Sequence, residues 1–418
     1  MKCVIERSRL SGEICCPASK SYTHRAIFLA SLADGPSTIA NVLASADTDA
    51  TVAACRSLGA EIEQDGDVLR VTPRGLRPAD IDAANSGTTI RIASAVSALA
   101  EGTSTLTGDE SLRRRPMQPL LDALGTMGAR CSSREGRPPV TVTGRIAGGH
   151  IDIPGNISSQ FISALMISAP MTRSGVTISI QGDLVSKPYL EATISAMRRF
   201  GVVVHTVIPF RRYAVAPQAY RPASFTVPSD SSSLALLLAA AVLAGEKMKI
   251  RVAFGDLPQG DESFIDILEV LGVRVDVGED VISVDAPGVL AGGRFDLGNT
   301  PDLLPPLAIL SARCSAPLEI VNVGHARFKE TDRIAVLASQ LAKAGIGAVQ
   351  GQDSLTLTPG ALGGAHLDPH SDHRLFMAFC ILAMAIDDCT VEDPESVRIS
   401  YPSFIEDMRG LGAKLSLT

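Results

Sequence analysis

Residues 58–62 read LGAEI, and the phrase returns as MGARC at 127–131, FGVVV at 200–204, LGVRV at 271–275, AGIGA at 344–348 and LGAKL at 411–415. Its glycines are Gly59, Gly128, Gly201, Gly272, Gly345 and Gly412, spaced 69, 73, 71, 73 and 67 residues apart. Each closes a helical pattern at the left-handed position that glycine favours, and a strand follows. The period is longer than that of common solenoids, so each unit is a larger supersecondary module. After five of the glycines a second strand lies within a hairpin's reach, at 68–72, 140–143, 213–216, 281–284 and 355–358. The sixth unit runs out at Thr418, and the missing strands lie at the other end of the chain, around 3–6 and 13–15. The termini should therefore meet, with the N-terminus completing the last repeat.

A second series shares this period. Six segments open with polar residues and continue apolar nearly all round, starting near Ser19, Ser86, Ser158, Ser229, Pro301 and Ser371. A helix apolar on every face is buried, and Ser or Asp at its start reads as an N-cap. Each repeat is then strand, buried helix, strand, amphipathic helix, hairpin. The expected fold class is α/β, with six such units divided three and three. One domain should hold 1–18 plus 228–418 and the other 19–227, with crossings beside the proline-bearing stretches ICCPASK and RPASFTVPSD.

Composition narrows the function. The longest apolar runs, 234–245 and 375–386, have twelve residues each, where a membrane span needs about 20. No apolar leader follows MKCVIERSRL, so no membrane association and a cytoplasmic location are expected. Eight cysteines without a CxxC pair fit a reducing compartment. No HExxH or zinc-spaced His/Cys cluster occurs, so neither metal nor cofactor is expected. A net charge of −7 and the lack of tryptophan argue against a nucleic-acid partner. The chain is expected to work as a monomer on small molecules.

The chemistry should lie at the helix starts, where unpaired N–H groups and the helix dipole favour anions. Cations nonetheless occupy two of these openings: Lys20 and Arg25 in the first, His373 and Arg374 in the sixth. Further cations cluster in RFKETDR (Arg327, Lys329, Arg333) and GDESLRRRP (Arg113, Arg114, Arg115). For Arg113 and Arg114 a solvated surface run is the simpler reading. For the others, cations set against a dipole make sense if a substrate anion sits between them. Until it arrives they should repel one another and favour an open form that closes on ligand.

These segments carry a resemblance. SKSYTHRA, NSGTTIR, ESLRRRP, NISSQF, SKPYLEAT, RFKETDR and SDHR resemble, in type, order and spacing, the signature segments of the 5-enolpyruvylshikimate-3-phosphate synthase family. The resemblance implies two inside-out α/β domains of three βαβαββ units each, with the active site in the interdomain cleft. It implies transfer of the enolpyruvyl group of phosphoenolpyruvate to the 5-hydroxyl of shikimate-3-phosphate, releasing phosphate by addition and elimination. By motif, Ser21, Arg25, Ser158, Ser159, Gln160, Ser186 and Tyr189 would hold shikimate-3-phosphate, with Asp302 and Lys329. Lys20, Gly87, Arg115, Lys329, Arg333 and Arg374 would bind phosphoenolpyruvate. Asp302 matches the family's carboxylate next to the attacking hydroxyl, although a helix cap explains it equally well from sequence. Glu330, Lys20 and His373 remain open as the group that moves a proton at the enol carbon.

The sequence departs from the family pattern at three places. Ile399 stands where some members have lysine, Ile92 follows Arg91 where many have proline, and His325 replaces an asparagine. A related transferase acting on a UDP-amino sugar typically carries a cysteine in its active-site loop, and 108–121 has none. A polyanion-binding or RNA-end-processing protein on a similar repeat is disfavoured by the acidic balance and by the missing GxxxxGK[ST] loop.

Overall fold

The computed structural model describes all 418 residues. All six repeat glycines sit at positive φ, between 79° and 115°, the region where a side chain would be strained. At Gly59 the reason is also spatial, since an added Cβ would fall 2.1 Å from the Gly75 carbonyl oxygen.

Six four-stranded sheets are present. The third repeat shows the pattern. Strand Gly149–Pro154 leads into the buried helix Ser159–Ser168 and then into strand Val176–Gln181, parallel to the first. The helix Lys187–Arg199 follows, and a hairpin of His205–Ile208 and Arg212–Val215 returns antiparallel. A parallel pair needs a crossover, and the buried helix supplies it.

In three sheets a strand comes from far along the chain. Lys2–Ile5 pairs with Cys389–Glu392 and Leu415–Leu417 and so completes the sixth repeat. Leu10–Cys15 does not join it, in contrast to the expectation from sequence. It lies parallel to Gly245–Arg251 and opens the fourth repeat. In the same manner Ser224–Thr226 pairs with Ser37–Ala40 and supplies the first strand of the first repeat.

The chain forms two compact units. One comprises Met1–Pro17, Ser229–Gly255 and Gly260–Thr418, the other Ala18–Pro228 and Asp256–Gln259. The short segment Asp256–Gln259 goes with the second unit. Leu257 is buried in its core, and the Tyr22 hydroxyl donates to the Pro258 carbonyl at 2.7 Å.

The buried helices form the centre of each unit. In Ser231–Ala244 every residue is buried, and this helix packs against Leu304–Leu310 and His373–Ala383. In the other unit Gly87–Ser97 packs against Lys20–Leu32 and Ser159–Ser168. Caps stop each helix from running backwards. Asp230 accepts from the backbone N–H groups of Ser232 and Ser233, Asp372 from Arg374 and Leu375, Ser86 from Thr89, and Ser158 from Gln160. Ser19 makes no side-chain cap. Asp302 is not a cap either: it lies inside a single 3-10 turn, Pro301–Leu303, and its carboxylate is used elsewhere.

Candidate active site

In the unit built from 18–228, two clusters gather at the helix starts. The first surrounds Gly87. A Cβ there would lie 2.6 Å from Arg91 Nη1, 3.1 Å from Arg115 Nη1 and 3.4 Å from Gln160 Oε1. Only glycine lets two guanidinium groups and an amide approach the opening turn of this helix. Arg115, buried, donates to Asn85 Oδ1 at 2.8 Å and to Ser111 Oγ at 3.2 Å. Arg91 Nη1 donates to Gln160 Oε1, and its guanidinium lies 5.2 Å from the centre of the Phe161 ring. Gln160 Nε2 in turn donates to Thr88 Oγ1 at 3.2 Å. Lys20, on the neighbouring helix, pairs with Asp47 at 2.8 Å.

The second cluster is centred on Arg25, which is 2% exposed. Its Nε donates to Thr193 Oγ1 at 2.9 Å, Nη1 to the Ser21 carbonyl at 2.9 Å, and Nη2 to the Tyr189 carbonyl at 3.0 Å. Thr193 passes its own proton to Ser163 at 2.8 Å, which ties the Ser159–Ser168 helix to the Lys187–Arg199 helix. Ser186 precedes the latter in the left-handed region at φ 56°. Burial lowers the Arg25 guanidinium from its ordinary value, so a dianionic phosphate would compensate its charge. Ser21, Arg25, Thr193 and Tyr189 are thus one hydrogen-bonded group, with Ser158, Ser159 and Gln160 opening the adjacent helix.

The other unit holds a dense ionic cluster. Arg333 is 1% exposed and meets three carboxylates. Nε donates to Asp372 Oδ2, Nη1 to Asp302 Oδ1 and Nη2 to Glu330 Oε2, each at 2.7 Å. Lys329 Nζ and Arg374 Nη2 lie 3.6 Å from the two oxygens of Asp302. Burial raises the Asp302 carboxyl, but the charges of Arg374, Lys329 and Arg333 outweigh it and hold the group well below the usual carboxylate range. Burial works against charge on Arg333 too, and its carboxylate neighbours outweigh that and raise it well above the ordinary arginine value. His373 is buried beside Asp372 at the start of its helix. His325 is buried near Lys329, and burial followed by that charge lowers its imidazole to about 4.

This geometry changes the reading from sequence in three ways. The cations are not uncompensated: Lys20 has Asp47, while Lys329, Arg333 and Arg374 share Asp302. The repulsion expected to hold an unliganded form open therefore loses its premise. Arg333 directs all three nitrogens at carboxylates and so orders the cluster. Glu330 pairs with Arg333, three residues on, and not with Lys329 as its neighbouring position suggests. Arg113 and Arg114 are exposed.

Several residues of these clusters were not singled out from sequence. Arg91 was quoted only as a motif position. Its place four residues after Gly87, on the same helix face, was the available signal. Asp47 and Asp261 had none. Asp261 is buried, accepts from Ser232 Oγ, and is pushed up to about 6 by burial and by the nearby charge of Asp302. A carboxyl raised in this way binds its proton more tightly folded than unfolded. Stability should thus fall as pH rises from about 4 to about 6 and level off above. Asp261→Asn should be more stable than the parent at pH 7.5 and lose that advantage at pH 4.5, read by urea unfolding. An advantage independent of pH would mean that Asp261 stays ionised.

Comparison with known proteins places these clusters in context. The model of the family described as EPSP synthase (3-phosphoshikimate 1-carboxyvinyltransferase) matches residues 4–408. A 3-phosphoshikimate 1-carboxyvinyltransferase of Nitrosopumilus maritimus is 57% identical over 419 aligned positions, covering 99% of each chain. One from Methanococcoides burtonii is 41% identical with 100% of both chains covered. Among solved structures, EPSP synthase from Acinetobacter baumannii superimposes with a TM-score of 0.81 at 25% identity, covering all of both chains. The enolpyruvyl transferase NikO of Streptomyces tendae, 20% identical, shares the fold with a TM-score of 0.81.

Proposed function

The chain belongs to the EPSP synthase family, and from that premise we propose how its own residues divide the work of moving the enolpyruvyl group of phosphoenolpyruvate onto shikimate-3-phosphate. The reaction belongs to the shikimate pathway, towards chorismate and the aromatic amino acids. The arrangement around Gly87, where Arg91, Arg115 and Gln160 converge on one helix start, is the observation that carries the assignment. Together with Lys20, it offers a carboxylate and a phosphate the charge-assisted donors they need; Lys329 and Arg374 are assigned to phosphoenolpyruvate by their family motifs. The Arg25 group, with Ser21, Ser158, Ser159, Gln160, Ser186 and Tyr189, suits a ring bearing hydroxyls and one phosphate.

Asp302 takes the proton of the 5-hydroxyl as that oxygen bonds to C2 of phosphoenolpyruvate. A proton is delivered to the methylene carbon, making a methyl group, with Glu330, Lys20 and His373 as the candidate donors. Phosphate then leaves from C2 and one methyl proton is withdrawn, which restores the double bond. Held by three cations, Asp302 is a weak base. Two anionic substrates offset those cations and raise its basicity at the moment it is needed. We place the enzyme in the cytoplasm as a monomer. Eight free cysteines, six of them buried, fit a reducing compartment, and no helix is long and apolar enough to cross a membrane.

The test is phosphate release by purified protein in EDTA. Release should require both substrates together, and release from phosphoenolpyruvate alone would mark a phosphatase instead. Within the site, Lys20→Ala and Arg115→Ala should raise the KM for phosphoenolpyruvate far more than that for shikimate-3-phosphate. Each removes a contact worth about 1.5–3 kcal/mol. Arg25→Ala should show the reverse preference. Equal losses on both substrates would reassign these three residues.

A further inference from the structure

The first two buried helices of the 18–228 unit are joined by a polar chain that the proposed mechanism does not use. His24 stands one turn after Lys20, and Thr51 one turn after Asp47. The buried helix Lys20–Leu32 and the amphipathic helix Ala46–Ser57 therefore meet at two rungs, Lys20 with Asp47 at 2.8 Å and His24 Nδ1 with Thr51 Oγ1 at 2.6 Å. Thr51 Oγ1 continues to Thr89 Oγ1 at 2.6 Å, and Thr89 Oγ1 donates to Ser86 Oγ at 2.7 Å. Ser86 is the cap of the helix that begins at Gly87, and it also accepts from the Thr89 backbone N–H at 3.2 Å. All four residues are at most 1% exposed, so water does not complete the pattern.

Each hydroxyl has one proton, and that fixes the direction of the chain. Thr89 gives its proton to Ser86, so the contact between the two threonines must use the proton of Thr51. The other acceptor near Thr51, the Asp47 carbonyl, is farther away at 3.4 Å. With its proton committed, Thr51 can only accept from His24, which must then carry its proton on Nδ1. At the far end Ser86 Oγ receives two donors, so its own proton is turned away from Thr89. Ser86 Oγ is thereby held as the accepting cap of the helix whose first residue, Gly87, lies beside Arg91 and Arg115. Nε2 of His24 is buried with no hydrogen-bond partner. Burial first, then the charges of Lys20 and Arg25, lowers His24 well below its ordinary value, in keeping with a neutral ring.

We propose that His24 is a positioning residue: through Thr51 and Thr89 it sets the proton direction of a buried relay that keeps the Ser86 hydroxyl accepting as the cap of the Gly87 helix, and so orders the helix start that meets the anionic substrate. The inference deepens the proposed function and rests on it, because the substrate in question is phosphoenolpyruvate. The relay also explains why two threonines and a histidine are buried where apolar residues would pack without a hydrogen-bonding requirement.

Two measurements on the full chain test it. In protein labelled with 15N-histidine, with His24 assigned by its loss in His24→Asn, Nδ1 should be the protonated ring nitrogen and Nε2 the bare one. The opposite tautomer, with Nδ1 bare, overturns the relay whether or not the chain is active with shikimate-3-phosphate. In kinetics, His24→Leu and Thr89→Val should each raise the KM for phosphoenolpyruvate about five-fold, the weight of one neutral hydrogen bond, with the KM for shikimate-3-phosphate within about two-fold. His24→Asn keeps a donor near the Nδ1 position and should recover most of the loss. Equal rises in both KM values, or His24→Asn no better than His24→Leu, would reduce the network to a structural one. If the unaltered chain fails to release phosphate with both substrates, the functional reading fails, and the ring tautomer still decides the relay.

Discussion

Arg333→Met is expected to cost the fold about 3–5 kcal/mol, the range for breaking a buried ion cluster by removing one partner. The reason is what remains behind. Asp302, Glu330 and Asp372 each accept a 2.7 Å hydrogen bond from this one guanidinium, and without it three carboxylates are buried with too little positive charge around them. Chemical denaturation should show a lower midpoint with an unchanged slope, the signature of lost stability without a change in the surface exposed. The loss should also depend on pH in a set direction. In the parent, Asp302 is held below its unfolded value, so its stabilising contribution is present above pH about 4 and is lost only as pH falls through the lower folded value. In the variant Asp302 keeps Arg374 and Lys329, but Asp372, whose carboxyl burial already raises, loses the guanidinium that opposes burial, so its protonated form is favoured. The penalty should therefore be largest near neutrality and shrink towards pH 4.5. A penalty below about 1 kcal/mol at neutral pH would mean that water screens this cluster as it does a surface pair.

Asp302→Asn should lower turnover by about 10²–10⁴-fold, the range associated with a positioned general base. The amide has the same shape and can still accept from Arg333, so substrate binding should change little. An interaction used in the transition state lowers kcat and kcat/KM together. If binding weakens while turnover of the bound complex survives, Asp302 is a ligand and not the base.

The repeat was legible because its evidence is local. A glycine that ends a helix at positive φ is dictated by the few residues around it, and Gly59, Gly128, Gly201, Gly272, Gly345 and Gly412 all adopt that conformation. The placing of the N-terminal strands was half legible. Lys2–Ile5 and Leu10–Cys15 are both short, and periodicity says that strands are missing without saying which sheet each one joins. Only the pairing of Leu10–Cys15 with Gly245–Arg251 assigns it to the fourth repeat.

At the candidate site the residue types were legible and the partners were not. Arg25 could be read as a helix-start cation, but its bond to the Tyr189 carbonyl spans 164 residues. Asp372 was visible only as the second residue of SDHR. In the structure its Oδ1 accepts from the Arg374 and Leu375 backbone while Oδ2 accepts from Arg333, so one carboxylate both caps a helix and neutralises a buried arginine. Charge balance is a long-range property, and a sequence shows where cations are without showing what faces them. That is why Lys20, Lys329 and Arg374 looked uncompensated until Asp47 and Asp302 were seen beside them.

The most direct test of transfer by addition and elimination is mass spectrometry of the product made from shikimate-3-phosphate and phosphoenolpyruvate in D2O with EDTA. The predicted product is the enolpyruvyl ether of shikimate-3-phosphate, formed with one phosphate released per transfer and with deuterium in its methylene group, because a methyl group forms and is deprotonated on the way. The ether with an unlabelled methylene would contradict the protonation step assigned to the Glu330, Lys20 and His373 set, and absence of the ether would contradict the function itself.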